Sequence, residues 1–333
     1  VPNAFDHHAS AIAKSLYLGD SSVGKTGSIA ALVAAGYNVR MLDFDNGADL
    51  VVHFLTDYRY PYRKVIEARG IDLSTAFYYV PIQEKMKTHV QEKRVVPATA
   101  RGWGQTLDMI DNWVDGNVKL GDAKTWTDKD VLVLDTFGTL AHMAYWHVQA
   151  LNGRLGARME GYDYQRDIGG AQNLLEGLLQ ELYGVHYPCN IIIITHITMI
   201  DDSRGVAAMP NRDPNAPRVE LKGYPTAIGR ALSPRMGKYF NNVLLARTSG
   251  SGASTKREIH TLPQDGILVK NTMPGIVAGK YPIESGLAEI FAALKGQAPP
   301  QDLLDAIKSG PFASTTLQAD GTKKPVLASA ALS

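Results

Sequence analysis

Gly19-Asp20-Ser21-Ser22-Val23-Gly24-Lys25-Thr26 matches the pattern G-x-x-x-x-G-K-[ST] in every fixed position, and what flanks it decides the fold. Ser15 to Leu18 before it is a short β-rich run, and the spacing after it predicts a helix from about Lys25 to Ala35, ended by Gly36. Gly19 and Gly24 permit backbone angles that turn successive N–H groups inward as an anion nest, to which the helix adds its positive dipole end. Residues Gly19 to Gly27 are therefore a candidate phosphate cradle, with Lys25 set to neutralise phosphate and the Thr26 hydroxyl to ligate a divalent cation. The competing reading is a chance glycine-rich turn.

Working outward, short β-rich runs alternate with longer helical patterns, which predicts an α/β fold: a doubly wound, mostly parallel central sheet flanked by helices. Asn38 to Asp43 is a second strand and Phe77 to Val80 a third. Val131 to Asp135 and Asn190 to Thr195 are apolar without alternation, as strands buried on both faces are. Between them, Leu174, Leu175, Leu178, Leu179 and Leu182 recur at helical spacing within Gln165 to Tyr183. Asp201 to Lys238 is rich in Pro, Gly and Arg and predicts a long loop. Strands follow near Asn242 to Arg247, Lys256 to Leu262 and Gly266 to Lys270, then a helix from Glu284 to Leu294. The expected organisation is an N-terminal segment, 1–13, a candidate subunit contact; a core, 14–296; and an Ala/Ser/Thr/Pro-rich tail, 297–333.

Bulk properties narrow the classes. The 333 residues are 45% hydrophobic, enough for one large domain or two small ones. The net charge is +1, so attraction to nucleic acid has to come from local clusters. A single cysteine, Cys189, can form neither an internal disulfide nor a Cys-rich zinc site and suits a reducing compartment. No apolar run approaches the ~20 residues of a membrane span. A soluble, cytoplasmic protein is expected. The chain opens at Val1 without methionine, which suggests processing or trimming.

Four polar residues at predicted strand ends complete the candidate site. Asp135 closes the run Val131-Leu132-Val133-Leu134 and is placed to order the shell of a magnesium ion bound with ATP; the alternative is a helix-capping aspartate. Asp43 and Asp45 stand two residues apart at the end of the second strand, and one of them can polarise an attacking water. Asp45, further into the loop, is the better placed, unless Asp43-Phe44-Asp45-Asn46-Gly47 is an ordinary acidic turn. His196, after Thr195, can sense the outer phosphate or simply bond to backbone.

This order of elements (P-loop strand, strand ending acidic-x-acidic, strand ending in Asp135, long helix, strand ending in a polar residue, Gly/Arg-rich loop) resembles the RecA/RadA recombinase core across about residues 10 to 295. More narrowly, with only eighteen residues before Gly19, it looks like the core-only RecA-like ATPases of phages linked to single-strand annealing and recombination. The resemblance implies a DNA-stimulated ATPase, working with ATP and Mg2+ in the host cytoplasm. It implies assembly on single-stranded DNA as a homo-oligomeric filament or ring, with a single-strand-binding protein as a further partner. It makes Asp45 the water-activating residue where the family has a glutamate, and His196 the sensor where the family commonly has glutamine.

It also implies two DNA-binding loops. One is Gly153 to Gly161, with Arg154 and Arg158. The other is Asp201 to Lys238, where seven cations (Arg204, Arg212, Arg218, Lys222, Arg230, Arg235, Lys238) face four acids. A solvated proline-rich loop is the alternative for the second. Lys270 resembles the family's lysine acting on a neighbouring subunit's site, with Arg235 and Lys238 as rivals. Lys85, Lys87, Lys93 and Arg94 form a basic stretch; Trp103, Trp113 and Trp126 read as packing residues; His142 and His147 lack the company of a metal site. The rival functions are a hexameric helicase or packaging motor, and a nucleotide-switched scaffold that does not bind DNA.

Overall fold

The computed structural model describes residues 12–90, 92–157, 161–201, 221–250 and 255–310. Strand β1 (Lys14–Gly19) enters the phosphate loop, and a short 3-10 turn leads to α1 (Ala30–Ala34). Next come β2 (Asn38–Asp43), α2 (Ala48–Thr56), α3 (Pro61–Ala68), α4 (Leu73–Ala76) and β3 (Phe77–Pro81). A hairpin of β4 (Met86–His89) and β5 (Arg94–Pro97), helix α5 (Gly102–Asp111) and a hairpin of β6 (Trp113–Asp115) and β7 (Val118–Gly121) precede β8 (Asp130–Asp135). Helices α6 (Phe137–Leu151) and α7 (Gly161–Tyr183) connect it to β9 (Asn190–Thr195). The remainder is β10 (Ile197–Asp201), β11 (Leu221–Pro225), β12 (Asn242–Ser249), β13 (Lys256–His260), β14 (Lys280–Pro282), α8 (Gly286–Leu294) and α9 (Gln301–Ser309).

Among the described residues eight strands form one sheet in the order β14-β13-β12-β1-β9-β8-β2-β3. All pairings from β12 to β3 are parallel, and only the β12–β13 and β13–β14 pairings at one edge are antiparallel, so β13 alone runs against the rest. This is the doubly wound, mostly parallel α/β architecture, flanked by helices, that the sequence predicts. Its cause is visible in the central strands, whose successive side chains point to opposite faces. Tyr17, Val131, Val133, Ile192 and Ile194 pack with α1, α2, α3, α8 and α9, whereas Leu16, Leu18, Leu132, Leu134, Ile191 and Ile193 pack with α5, α6 and α7. Both faces are covered, so a polar residue in either register would be buried, and the strands read as unbroken apolar runs. Cys189 is buried just ahead of β9, and burial pushes its thiol up to about 12, leaving it inert.

Four segments differ from their sequence reading; one is Asp201 to Lys238, read as a long loop, which holds β11 and most of a 3-10 helix, Ser233–Tyr239. Residues 266–270 are not a strand of the main sheet: Ile267 and Lys270 make isolated bridges to Gly223 and Val243, the latter near the start of β12, and Ile267 and Val269 are buried. The helix after the P-loop begins as a 3-10 turn, Gly27–Ile29, before α1. Within the segment read as a tail, residues 301–309 form α9, whose Leu303 and Ile307 are buried in the core cluster beside α3, with Arg69 paired to Asp302. Two well-spaced apolar residues suffice to dock a short amphipathic helix, although the average composition around them is tail-like. Among the described residues no helix is long and apolar enough to cross a membrane. Leu303→Ala is expected to lower stability by roughly 2–4 kcal/mol in urea unfolding, whereas the same change in a solvated tail leaves the midpoint where it was.

Candidate nucleotide site

The cleft lies at the C-terminal edge of the parallel strands, where open α/β sheets present ligand sites. Two neighbours fix the end of β1: Gly19 pairs with Ala246 of β12, and Leu18 with Thr195 of β9. The loop then turns into helix, with Ser28 N–H bonding to the Gly24 carbonyl at 3.0 Å. Gly24 sits at φ +100°, a conformation that a side chain would strain. The Lys25 ammonium, buried, donates to the Gly19 and Asp20 carbonyls at 2.7 Å each. These bonds hold it over the loop mouth. Burial draws its pKa down to about 8, against the pull of Asp135 and Asp20.

Asp135, from the far side of β9, meets Thr26 here. The Thr26 hydroxyl donates to Asp135 Oδ2 at 2.6 Å, joining residues 109 positions apart. Asp135 is 1% exposed, and its other oxygen, Oδ1, has no hydrogen-bond partner among the described residues. Burial pushes its carboxyl up to about 6, opposed by the Thr26 bond and assisted by Asp43 and Asp45. A buried carboxylate with one orphaned oxygen beside a hydroxyl fits a hard divalent cation. Magnesium keeps most of its waters and takes one or two protein ligands plus phosphate, so Thr26 and Asp135 suffice to hold it. Consistent with this, the described residues contain no cluster of three His, Cys, Asp or Glu that would make an all-protein cage. Gly47 completes the fit, since a Cβ there would lie 2.9 Å from Thr26 Cγ2 and 3.2 Å from Asp135 Oδ2.

The two carboxylates after β2 separate by environment. Asp43 is buried and accepts from the backbone N–H groups of Asp45, Gly47 and Ala48 at 3.2, 2.9 and 3.0 Å, so it caps the start of α2. Asp45 is exposed and reaches into the cleft. Its Oδ2 accepts from the Thr136 hydroxyl at 2.7 Å, and its Oδ1 accepts from that of Thr139, on α6. Each oxygen retains a lone pair for a water. His196 lines the same cleft; burial, then the nearby Lys25 charge, lower its pKa against a hydrogen bond to the Gly19 backbone, so the imidazole is neutral at pH 7.

Lys25, Thr26, Asp45, Asp135 and His196 thus come together on one cleft of about 570 Å³, together with Ser21, Ser22, Gly24 and Gly27. Val23 is buried beneath the loop as an anchor. The remaining candidates stand elsewhere. Lys270 Nζ donates to the Phe240 carbonyl at 2.7 Å, and its backbone bridges Val243, near the start of β12 and away from the cleft end. Arg235 and Lys238 both pair with Glu176 at 3.3 Å. Arg154 is bound to buried Asp167 and lies 3.5 Å from Asp163. Lys222 lies in the β10–β11 hairpin, opposite Ile200. Arg158, Arg204, Arg212 and Arg218 lie outside the described residues.

Three contributors escaped the sequence reading: Thr136 and Thr139, which orient Asp45, and Arg257 of β13, which also lines the cleft. The threonines follow Asp135 closely and were detectable as hydroxyls at the start of a helix after a strand. Arg257 carries no local signal.

No family model matches the chain, and no curated protein matches it. Among solved structures, the chain is similar to the flagellar accessory protein FlaH from Methanocaldococcus jannaschii, at 12% identity and a TM-score of 0.37, over 82% of this chain and 87% of that one. It is also similar to a KaiC-like protein from Pyrococcus horikoshii, at 13% identity and a TM-score of 0.36, over 81% of this chain and 84% of that one.

The raised Asp135 carboxyl sets a pH dependence. Its folded pKa of about 6 exceeds the ordinary 3.8, so the stability that comes from keeping it protonated is present in acid and is lost as pH rises through about 6. Asp135→Asn is therefore expected to raise the melting temperature of the nucleotide-free protein at pH 8, by up to about 3 kcal/mol in stability. In the unsubstituted protein, magnesium-dependent nucleotide binding, followed by titration calorimetry, is expected to weaken as pH falls below about 6, because the cation requires the carboxylate.

Proposed function

We propose that this chain is a magnesium-dependent ATPase of the RecA-like type that assembles on single-stranded DNA, with its nucleotide sites between subunits. The observation that carries the catalytic half is the Thr26–Asp135 contact beside Lys25, with one Asp135 oxygen unpaired among the described residues. The P-loop amides cradle the phosphates, and Lys25 exchanges a carbonyl contact for a phosphate oxygen. Thr26 and Asp135 would hold the magnesium ion, which would supply neutralisation of the phosphate charge. Asp45, held by two threonine hydroxyls, aligns a water with the γ-phosphorus. A new P–O bond forms as the bond to the β-phosphate oxygen breaks, ADP leaves with the electron pair, and the water's proton passes to Asp45 or to the departing phosphate.

What supports the coupling half is continuity from the cleft into a hairpin. His196 lines the cleft and directly precedes β10. Its carbonyl accepts from Thr226 N–H at 2.8 Å, and the Thr195 hydroxyl donates to the Thr226 carbonyl at 3.0 Å. The strands β10 and β11, zipped from Ile197–Pro225 to Asp201–Leu221, lead to residues 202–220, which hold Arg204, Arg212 and Arg218. A shift of His196 on phosphate loss would be passed along β10 and β11 toward residues 202–220, whose sequence holds three arginines. Lys270, at the end of β12 remote from its own cleft, suits a role in a neighbour's cleft.

Lys25→Ala is expected to abolish ATP turnover while leaving the circular dichroism spectrum intact; retained turnover would refute the site. Asp45→Asn should slow single-turnover hydrolysis at least tenfold with ATP affinity nearly unchanged, and equal losses in both would make Asp45 structural. Replacing Arg204, Arg212 and Arg218 together is expected to flatten the dependence of log K on log salt for an unstructured oligonucleotide by about 0.7 for each phosphate that is no longer neutralised. A scaffold that ignores DNA shows no such binding to begin with.

A further inference from the structure

Arg257 differs from the cations singled out by sequence. Its strand, β13, runs antiparallel to β12 with Arg257 opposite Thr248, and its carbonyl accepts from Ile283 N–H at 3.0 Å, so its backbone is fixed within the sheet. From there the side chain reaches the phosphate loop: a Cβ at Gly24 would lie 3.8 Å from both Cδ and Nη1 of Arg257.

Its place along the cleft follows from what it shares. A second cavity of about 120 Å³ adjoins the cleft, walled by Phe54, Tyr62, Ile283 and the half-buried Glu284. Gly24, Gly27, Leu50 and Arg257 line both spaces, whereas Asp45, Thr136, Asp135 and His196 line only the larger one. Arg257 therefore stands at the end of the cleft away from the water-aligning and sensing groups. Charge points the same way. The formal charges lining the cleft are Lys25 and Arg257 against Asp45 and Asp135. They balance only because Arg257 is there; without it, a site for a polyanion would face that polyanion with a net negative lining. Glu284, the acid nearest to Arg257 on this side, is held toward its neutral form chiefly by burial, which limits its competition for the guanidinium.

We propose that Arg257 is a binding residue for the non-transferred end of the nucleotide, gripping the α-phosphate from within the same subunit, where ATP and ADP are alike. The inference rests on the ATP reading above and adds what that reading lacks: an own-chain cation that sets affinity for substrate and product together. A guanidinium fork suits this task, since it meets two phosphate oxygens at once. Because the α-phosphate changes little on γ-transfer, whereas the β-phosphate oxygen receives the leaving electron pair, a contact to the α-phosphate strengthens ground state and transition state alike.

The test is titration of ATP and ADP with magnesium into the unmodified protein, Arg257→Ala and Arg257→Lys, alongside steady-state turnover. Arg257→Ala is expected to weaken ATP and ADP by the same factor, roughly ten- to a hundredfold, with the loss of turnover falling on KM. Arg257→Lys, which keeps the charge without the fork, should recover part of both affinities. Unchanged affinities in Arg257→Ala overturn the assignment. So does a fall in kcat with ADP affinity intact, which would put Arg257 on the transferred phosphoryl. Failure of the unmodified protein to bind either nucleotide overturns the ATP reading itself and this assignment with it, whereas normal binding with an unresponsive Arg257 overturns only the latter.

Discussion

One oxygen of Asp135 is bonded to the Thr26 hydroxyl, and the other is buried at the rim of the sheet with no partner among the described residues. Burying a carboxylate this way costs free energy, and the fold offsets it elsewhere through two large apolar layers. The arrangement depends on the strand order. Because β9 lies between β1 and β8, the P-loop has to cross the end of β9 before Thr26 can meet Asp135. That crossing brings His196, at the end of β9, beside the same cleft. A single topological choice therefore places the loop of residues 19–26, Asp135 and His196 around one space.

Identical functional groups acquire different tasks through their surroundings. Asp43 and Asp45 are separated by one residue, yet three backbone N–H groups hold Asp43 in the interior while two threonine hydroxyls hold Asp45 over the cleft. The structural task of Asp43 serves the site too: by fixing the turn through Asn46 and Gly47, it brings Gly47 against Thr26 and Asp135, where a side chain has no room.

Cations are similarly sorted by what they touch. With a net charge of only +1, the chain has no general attraction for polyanions. Arg154, Arg235 and Lys238 are matched with acids inside the chain, which joins helices and loops to one another. Lys25 and Arg257, by contrast, line the same cleft from opposite ends of the chain, one through a helix start and the other through the antiparallel strand β13. This division leaves two cations at the cleft free of ion pairs among the described residues, without raising the overall charge.

The sequence alone determined the features that arise from local periodicity and backbone chemistry. The P-loop, the buried apolar strands ending in Asp135 and Thr195, and the leucine-spaced α7 each carry their cause within a few residues, as the bounds of β2 and β9 attest. Tertiary structure alone decided the matters that depend on which distant segments meet. The threonine clasp on Asp45, the docking of α9 through Leu303 and Ile307, and the approach of Arg257 to Gly24 all join residues whose own surroundings in sequence are ordinary. A lone arginine on a strand reads the same whether it faces solvent or a phosphate loop; only strand order and register, set by the burial of whole faces, bring it to one or the other.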